Sequence, residues 1–317
     1  MILVILIISI SAYITFYSYG THSNEKESSQ QQPIELRVFV AASLGKVTEK
    51  YQQIFEKENN AKIIFNVGGS DSLYQQITSG SPADVYMAAD FKWTKKLLEE
   101  GFLYNNEYWN FTTNVLVVVL PADNPANITD LWQLARPGTR IIVAAWTVPA
   151  GKYTNMTLTK IQNTWGEKSS PNYKGEEWIN FREKVVSNIV SYETNVESVV
   201  AKVSMGICDA GFVYVSDAKS NTELKNIVIP DEVNTKGTYG IAVINDSAQS
   251  ELAVRYVNFW ISKDGQQLLH EYGFGEESAM IIYRNDQMSI ANSNGITVLD
   301  LIQLYCSVTI SQRIVPV

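Results

Sequence analysis

From Glu35 onward the chain keeps switching between two hydrophobic periods, and that alternation constrains its fold more than any other feature. Short apolar runs such as ELRVFV and AKIIFNV read as strands. Between them Val47, Tyr51, Ile54 and Phe55 recur at helical spacing, which makes a βαβ unit. A second helix over 72–78, the run DVYMAA and a helix around Trp93, Leu97 and Leu98 follow, the last ending at Gly101 as glycine C-capping favours. VLVVVLP at 115–121 is a continuous apolar strand, after which a second series begins: RIIVAA, helices at about 151–162 and 196–205, and GFVYV. GTYGIAVI at 237–244 then leads into one long amphipathic helix with Leu252, Tyr256, Phe259 and Trp260, placed to pack back on the first series. The pattern predicts two α/β lobes in series, with mostly parallel sheets flanked by helices. Residues 35–115 and 240–275 form the expected first lobe and 116–239 the second. The polar stretch 165–184 reads as a surface insertion. Residues 276–317, with AMIIYR and VLDLIQLYCSVTI, form a C-terminal extension of unknown role; Asp300 and the short length favour a packed helix there over a second anchor.

Composition then removes whole classes of function. A net charge of −8 without any Lys/Arg-rich block excludes a nucleic-acid backbone as partner. The two cysteines, Cys208 and Cys306, lie far apart without metal-type spacing, so a single long-range disulfide stays open and a metal ribbon or redox pair does not. His22 and His270 are the only histidines, and any Ser-His-Asp, Cys-His or two-His metal centre would have to be built around His270. The expectation is a protein that binds and does not catalyse, without a cofactor and without a directly ligated metal.

Residues 1–20 are an address. MILVILIISISAYITFYSY is uncharged and long enough to cross a membrane core, as a signal peptide or an N-terminal membrane anchor. The polar residues 21–34 are the linker that follows. No cysteine follows the apolar run, so a lipoprotein anchor is excluded. Asn110, Asn127, Asn155 and Asn245 begin N-x-S/T triplets, each weak by itself.

Helix starts are where a ligand would sit, because their unpaired N–H groups and positive dipole ends favour anions. The first strand runs into Ala41-Ala42-Ser43, with Ser43 the expected N-cap; the second runs into Gly68-Gly69-Ser70, where glycines let backbone approach a ligand. In the second lobe Val148-Pro149-Ala150 and Thr194-Asn195-Val196 precede helices. Any one of these is an ordinary cap; together they lie at the strand ends that bind ligands in open α/β sheets.

VFVAASL, GGSDSLYQQITSGSPADVYMAAD-x-KW, TNVLVVVLP, TVPAG and DAGFVYVSDA stand in that order across residues 35–274. In this the chain resembles the periplasmic molybdate-binding proteins of ABC transporters. The resemblance implies a two-lobed type II periplasmic-binding-protein fold that holds molybdate or tungstate in the interlobe cleft, for delivery to a transporter permease outside the cytoplasm. It implies hydroxyl and N–H donors from Ser43 and Ser70, backbone N–H donors from Ala150 and Val196, and a hydroxyl donor from Tyr214. It further implies a monomer, tethered here by the N-terminal segment. A site made only of donors suits a fully deprotonated dianion. Another oxyanion, sulfate or phosphate, and an anchored oxyanion receptor without a transport role are the alternatives. Asp71, beside Ser70, departs from the family's more serine-rich loop and is expected to turn outward and cap its own helix.

Overall fold

The computed structural model describes residues 32–275 in full, together with the backbone of the strands Met280–Arg284 and Gln287–Ala291. The N-terminal address, residues 21–31 of the linker, Cys306 and the apolar run at 298–310 lie outside the described residues, and the linker's last residue, Ile34, already belongs to a strand. Among the described residues, no helix is long and apolar enough to cross a membrane.

The first sheet is built from β1 (Ile34–Ala41), β2 (Ala61–Gly68), β3 (Val85–Ala88), β4 (Glu107–Asn114), β10 (Gly237–Val243), β11 (Met280–Arg284) and β12 (Gln287–Ala291), in the order β12-β11-β4-β10-β3-β1-β2. The second holds β5 (Leu116–Leu120), β6 (Ile141–Ala144), β7 (Ile189–Glu193), β8 (Ala210–Tyr214) and β9 (Lys225–Val228), in the order β7-β6-β8-β5-β9. Both sheets are mixed, which corrects the expectation of mostly parallel ones. Strands joined through helices are parallel, as in β1 with β2 and β3, or β6 with β7 and β8. The chain leaves the first sheet along β4 and returns along β10, so these two must run in opposite directions where they pair. Their ladder slips by one residue between Tyr239 and Gly240, opposite Phe111. Strands β11 and β12 form a hairpin on β4, so the extension does join the first sheet.

Each helix lies over its sheet on a stripe its spacing provides. Helix α1 (Gly45–Asn59) buries Val47, Thr48, Tyr51 and Phe55 and ends on Asn60 at φ 45°, whose N–H returns to the Glu56 carbonyl. Ile54, expected on that stripe, is exposed. The ring of Tyr51 stacks on Phe259 at 3.5 Å, and Phe55 meets Tyr256 edge-on. The late helix therefore does pack on the first lobe, but as two pieces, α8 (Ser250–Ile261) and α9 (Lys263–Glu271), divided where Ser262 accepts the Gly265 N–H. The stretch at 165–184 is more than a surface insertion: Trp165, Trp178 and Phe181 are buried against one another.

Of the four N-x-S/T asparagines, Asn110 is buried in β4 and Asn155 is bound by the Arg182 guanidinium at 2.8 Å. Asn127 and Asn245 are exposed.

Candidate anion-binding site

Helices α2 (Ser70–Thr78), α4 (Pro149–Ile161) and α6 (Val196–Ser204) start at strand ends that face one small cavity between the two sheets. Its volume is about 10 Å³ as the lobes stand, so an oxyanion enters only when they part. Ser43, Ser70, Ala150, Val196 and Tyr214 all line it, together with Ala42, Gly69, Ala89 and Asn195. Ser70 and Val196 are the first residues of their helices and Ala150 the second, positions whose N–H groups have no intrahelical acceptor. Three helix dipoles thus converge on the cavity with their positive ends. Ser43 arrives differently from the expectation. It lies inside a single 3₁₀ turn, Ala42–Leu44, ahead of α1 and caps nothing, because its hydroxyl is taken up by Tyr239 at 2.9 Å.

The Ser70 and Tyr214 hydroxyls are available at the cavity as donors. Ser70 Oγ accepts the Ala89 N–H at 2.9 Å, which leaves its own proton for the cavity, while Tyr86 donates to the Ser70 carbonyl at 2.7 Å and fixes the turn. Tyr214, at the end of β8, is 1% exposed, and its hydroxyl has no hydrogen-bond partner among the described residues. Burial raises its pKa well above the ordinary value, so the phenol stays protonated. A buried donor without a partner that lines a cavity is available to whatever enters it.

Charge is kept to the margin. Asp90, one residue past Ala89, meets Lys152 in the first turn of α4 at 2.6 Å; the pair bridges the lobes and leaves the ammonium engaged. Asp217 accepts the Tyr214 N–H at 2.9 Å, and burial pushes its carboxyl up to about 7, with Glu197 adding to the effect. Asp71 does not line the cavity, but neither does it cap α2. No side chain caps that helix start, and Asp71 Oδ1 is buried without a hydrogen-bond partner among the described residues. The carboxylate folds back toward Gly69, with Oδ1 2.8 Å from where a Cβ on that residue would stand. A larger cavity of about 250 Å³ adjoins the first at Ala42 and Ser43 but carries Glu49, Glu197 and Asp217, which suit an anion less.

The lobes touch closely here. Gly69 lies so near the Thr194 carbonyl that a Cβ on it would stand 2.6 Å from that oxygen. Asp90, Lys152, Tyr239 and Asn114 were given no role in the sequence reading, although Asp90, Asn114 and Tyr239 lie within the runs MAAD, TNVLVVVLP and GTYGIAVI and Lys152 stands just after VPAG. His270 is exposed at the end of α9, and Cys208 is buried with its thiol pushed up to about 11 by burial, far from reactive.

The sequence profile described as Bacterial extracellular solute-binding protein matches residues 36–275. The chain belongs to this family. Among the relatives of this solute-binding protein, the molybdate-binding protein ModA of Mycobacterium tuberculosis H37Rv is 30% identical over 273 residues, 84% of this chain and 96% of its own. The periplasmic molybdate-binding protein of Azotobacter vinelandii superposes with a TM-score of 0.65 at 18% identity, covering 77% of this chain and 100% of its own. The sulfate-binding protein SubI of Mycobacterium tuberculosis H37Rv does so equally well, at 0.65 and 18%, covering 77% of this chain and 88% of its own. Such likenesses establish the two-lobed type II periplasmic-binding fold with its ligand cleft between the lobes; the choice of ion rests on the residues in the cleft.

Proposed function

We propose that this solute-binding protein captures molybdate or tungstate between its lobes and delivers it to the permease of an ABC transporter outside the cytoplasm. Residues 35–115 with 240–275 form one jaw and 116–239 the other. The observation that carries the reading is the cavity itself, which gathers Ser43, Ser70, Ala150, Val196 and Tyr214 and offers donors without a carboxylate acceptor. Both ions are fully deprotonated near neutral pH, so every oxygen can accept. Hydrogen bonds to a charged partner contribute roughly 1.5–3 kcal/mol each, enough for five or more to hold a dianion without a counter-charge.

The same geometry supports binding without turnover. Ser43 and Ser70 pair with a phenol and a backbone N–H, neither of which takes up a proton, so neither serine is activated as a nucleophile. The protein works as a monomer tethered by its N-terminal segment.

The test is thermal unfolding with molybdate, tungstate, sulfate and phosphate in parallel. A ligand at 100 times its Kd stabilises the fold by about 2.7 kcal/mol. Molybdate and tungstate are expected to raise Tm and phosphate to leave it unchanged; no shift with either metal oxyanion refutes the proposal. Sulfate, also an unprotonated dianion, is the second reading, and a shift with sulfate alone would establish it.

A further inference from the structure

Ser43 is the one cavity hydroxyl whose direction the contacts to the ligand-lining loops leave open, since either it or Tyr239 could donate across their 2.9 Å bond. The surroundings of Tyr239 decide. The Val115 N–H donates to Asn114 Oδ1 at 3.0 Å, which orients the amide and turns Nδ2, a donor only, toward Ser216 Oγ at 2.8 Å and Tyr239 Oη at 3.5 Å. Tyr239 is fully buried and burial raises its pKa, so it keeps its proton. If it accepted from Ser43 as well as from Asn114, that proton would have only the nearby Tyr214 hydroxyl to turn to, which forms no hydrogen bond among the described residues. Donation from Tyr239 to Ser43 satisfies all three groups at once. The ladder slip between Tyr239 and Gly240 lies at this residue, and such irregularities re-aim side chains beside functional sites.

We infer that Asn114 and Tyr239 form a one-way donor relay that commits the Ser43 hydroxyl to donate into the cleft, which makes Tyr239 a positioning residue for rejecting protonated oxyanions. The inference rests on the proposed oxyanion reading. A hydrogen phosphate aiming its P–OH at Ser43 meets the serine proton instead of a lone pair. Ser70 is committed in the same sense by the Ala89 N–H, so neither serine can turn to accept. In Tyr239→Phe the incoming bond to Ser43 is gone, and its hydroxyl is free to rotate and accept a ligand proton.

The test is calorimetric titration of wild type, Tyr239→Phe, Ser43→Ala and the double variant with molybdate, and with phosphate at pH 8 as the protonated probe. Tyr239→Phe is expected to weaken molybdate binding about tenfold and to narrow the molybdate-to-phosphate ratio by more than that loss. The double variant should bind molybdate no worse than Ser43→Ala, because Tyr239 acts through Ser43. Losses that multiply in the double variant, or an unchanged anion ratio in Tyr239→Phe, would overturn the relay while leaving the oxyanion reading intact. A wild type that binds none of these anions would overturn both. The unliganded Tm of each variant reports folding. Should Tyr239→Phe fail to fold, Asn114→Ala, which leaves the phenol in place and removes its orienting donor, is expected to narrow the same ratio, and a ratio unchanged in that variant overturns the relay.

Discussion

Gly69→Ala isolates lobe closure from everything else at the site. Gly69 has φ −68° and ψ 138°, a conformation open to any residue, so alanine strains no backbone. Its new Cβ would stand 2.6 Å from the Thr194 carbonyl oxygen across the cleft, where ordinary contact begins at 3.4 Å, so the lobes have to part by about 0.8 Å. Asp71 Oδ1, at 2.8 Å from the same Cβ, is the end of a flexible side chain and can move aside. The carbonyl cannot, because it leads directly into Asn195 and Val196, whose helix start lines the cavity. Overpacking of this kind costs roughly 1–3 kcal/mol. Charged to the closed, liganded state alone, it weakens anion binding by about 5–150-fold. Solute-binding proteins close by hinge motion around their ligand, so the open form separates Gly69 from Thr194 and carries no penalty. Calorimetry should therefore show the affinity loss while the unliganded protein melts where wild type does. Unchanged affinity in Gly69→Ala, or an equal loss of unliganded stability, would refute this account of closure.

Three further outcomes are expected. Tyr214→Phe removes a hydroxyl that has no hydrogen-bond partner among the described residues, so unliganded stability should hold or rise slightly while anion binding falls by roughly 1.5–3 kcal/mol; equal affinity would mark Tyr214 as a core residue only. Lys152→Met breaks the 2.6 Å bridge to Asp90, and because Lys152 is about one-third exposed the effect is moderated to about tenfold, seen as faster anion release in stopped-flow fluorescence; an unchanged release rate would deny the pair a role in closure. Asp217, held at about 7 by burial, keeps its proton on folding while the unfolded chain gives it up near pH 4. Its contribution is therefore fully present below pH 4 and is lost as pH rises through 7, by at most roughly 4 kcal/mol. Asp217→Asn, which still accepts the Tyr214 N–H, should flatten denaturant-measured stability between pH 4 and 7; an unaltered pH profile would exclude the buried carboxyl as its source.

The strands and helix starts of this chain were legible because their signals are local. Runs such as VLVVVL pair on both sides, and Gly-Ser and Pro-Ala starts mark helices whatever packs above them. Strand direction is not local: nothing within GTYGIAV says that it will lie antiparallel to both β3 and β4. Strand β9 is four residues at a sheet edge, largely exposed, and its composition carries no period. The Trp165, Trp178 and Phe181 cluster is scattered through polar sequence, and only tertiary contact makes it a core. Ser43 looked like a cap because serines before helices usually are; Tyr239, 196 residues away, took its hydroxyl instead.

A chain of net charge −8 that holds a dianion has to keep its own carboxylates from the contact distance where screening no longer helps, since charges are screened only beyond about 8–10 Å. Three of the acids that stand close in sequence to cavity-lining residues are handled by three different devices. Asp90 follows Ala89 and is paired with Lys152, so the bridge that ties the lobes also cancels the charge nearest the Ser70 turn. Asp217 follows Tyr214 by three residues, and burial keeps its carboxyl largely protonated below pH 7. Asp71 follows Ser70 and is kept out of the cavity lining, its carboxylate turned back on Gly69. Pairing responds to salt, protonation to pH, and orientation to neither. Anion affinity in wild type should therefore fall both with rising ionic strength and with rising pH through 7, and the second dependence alone should vanish in Asp217→Asn.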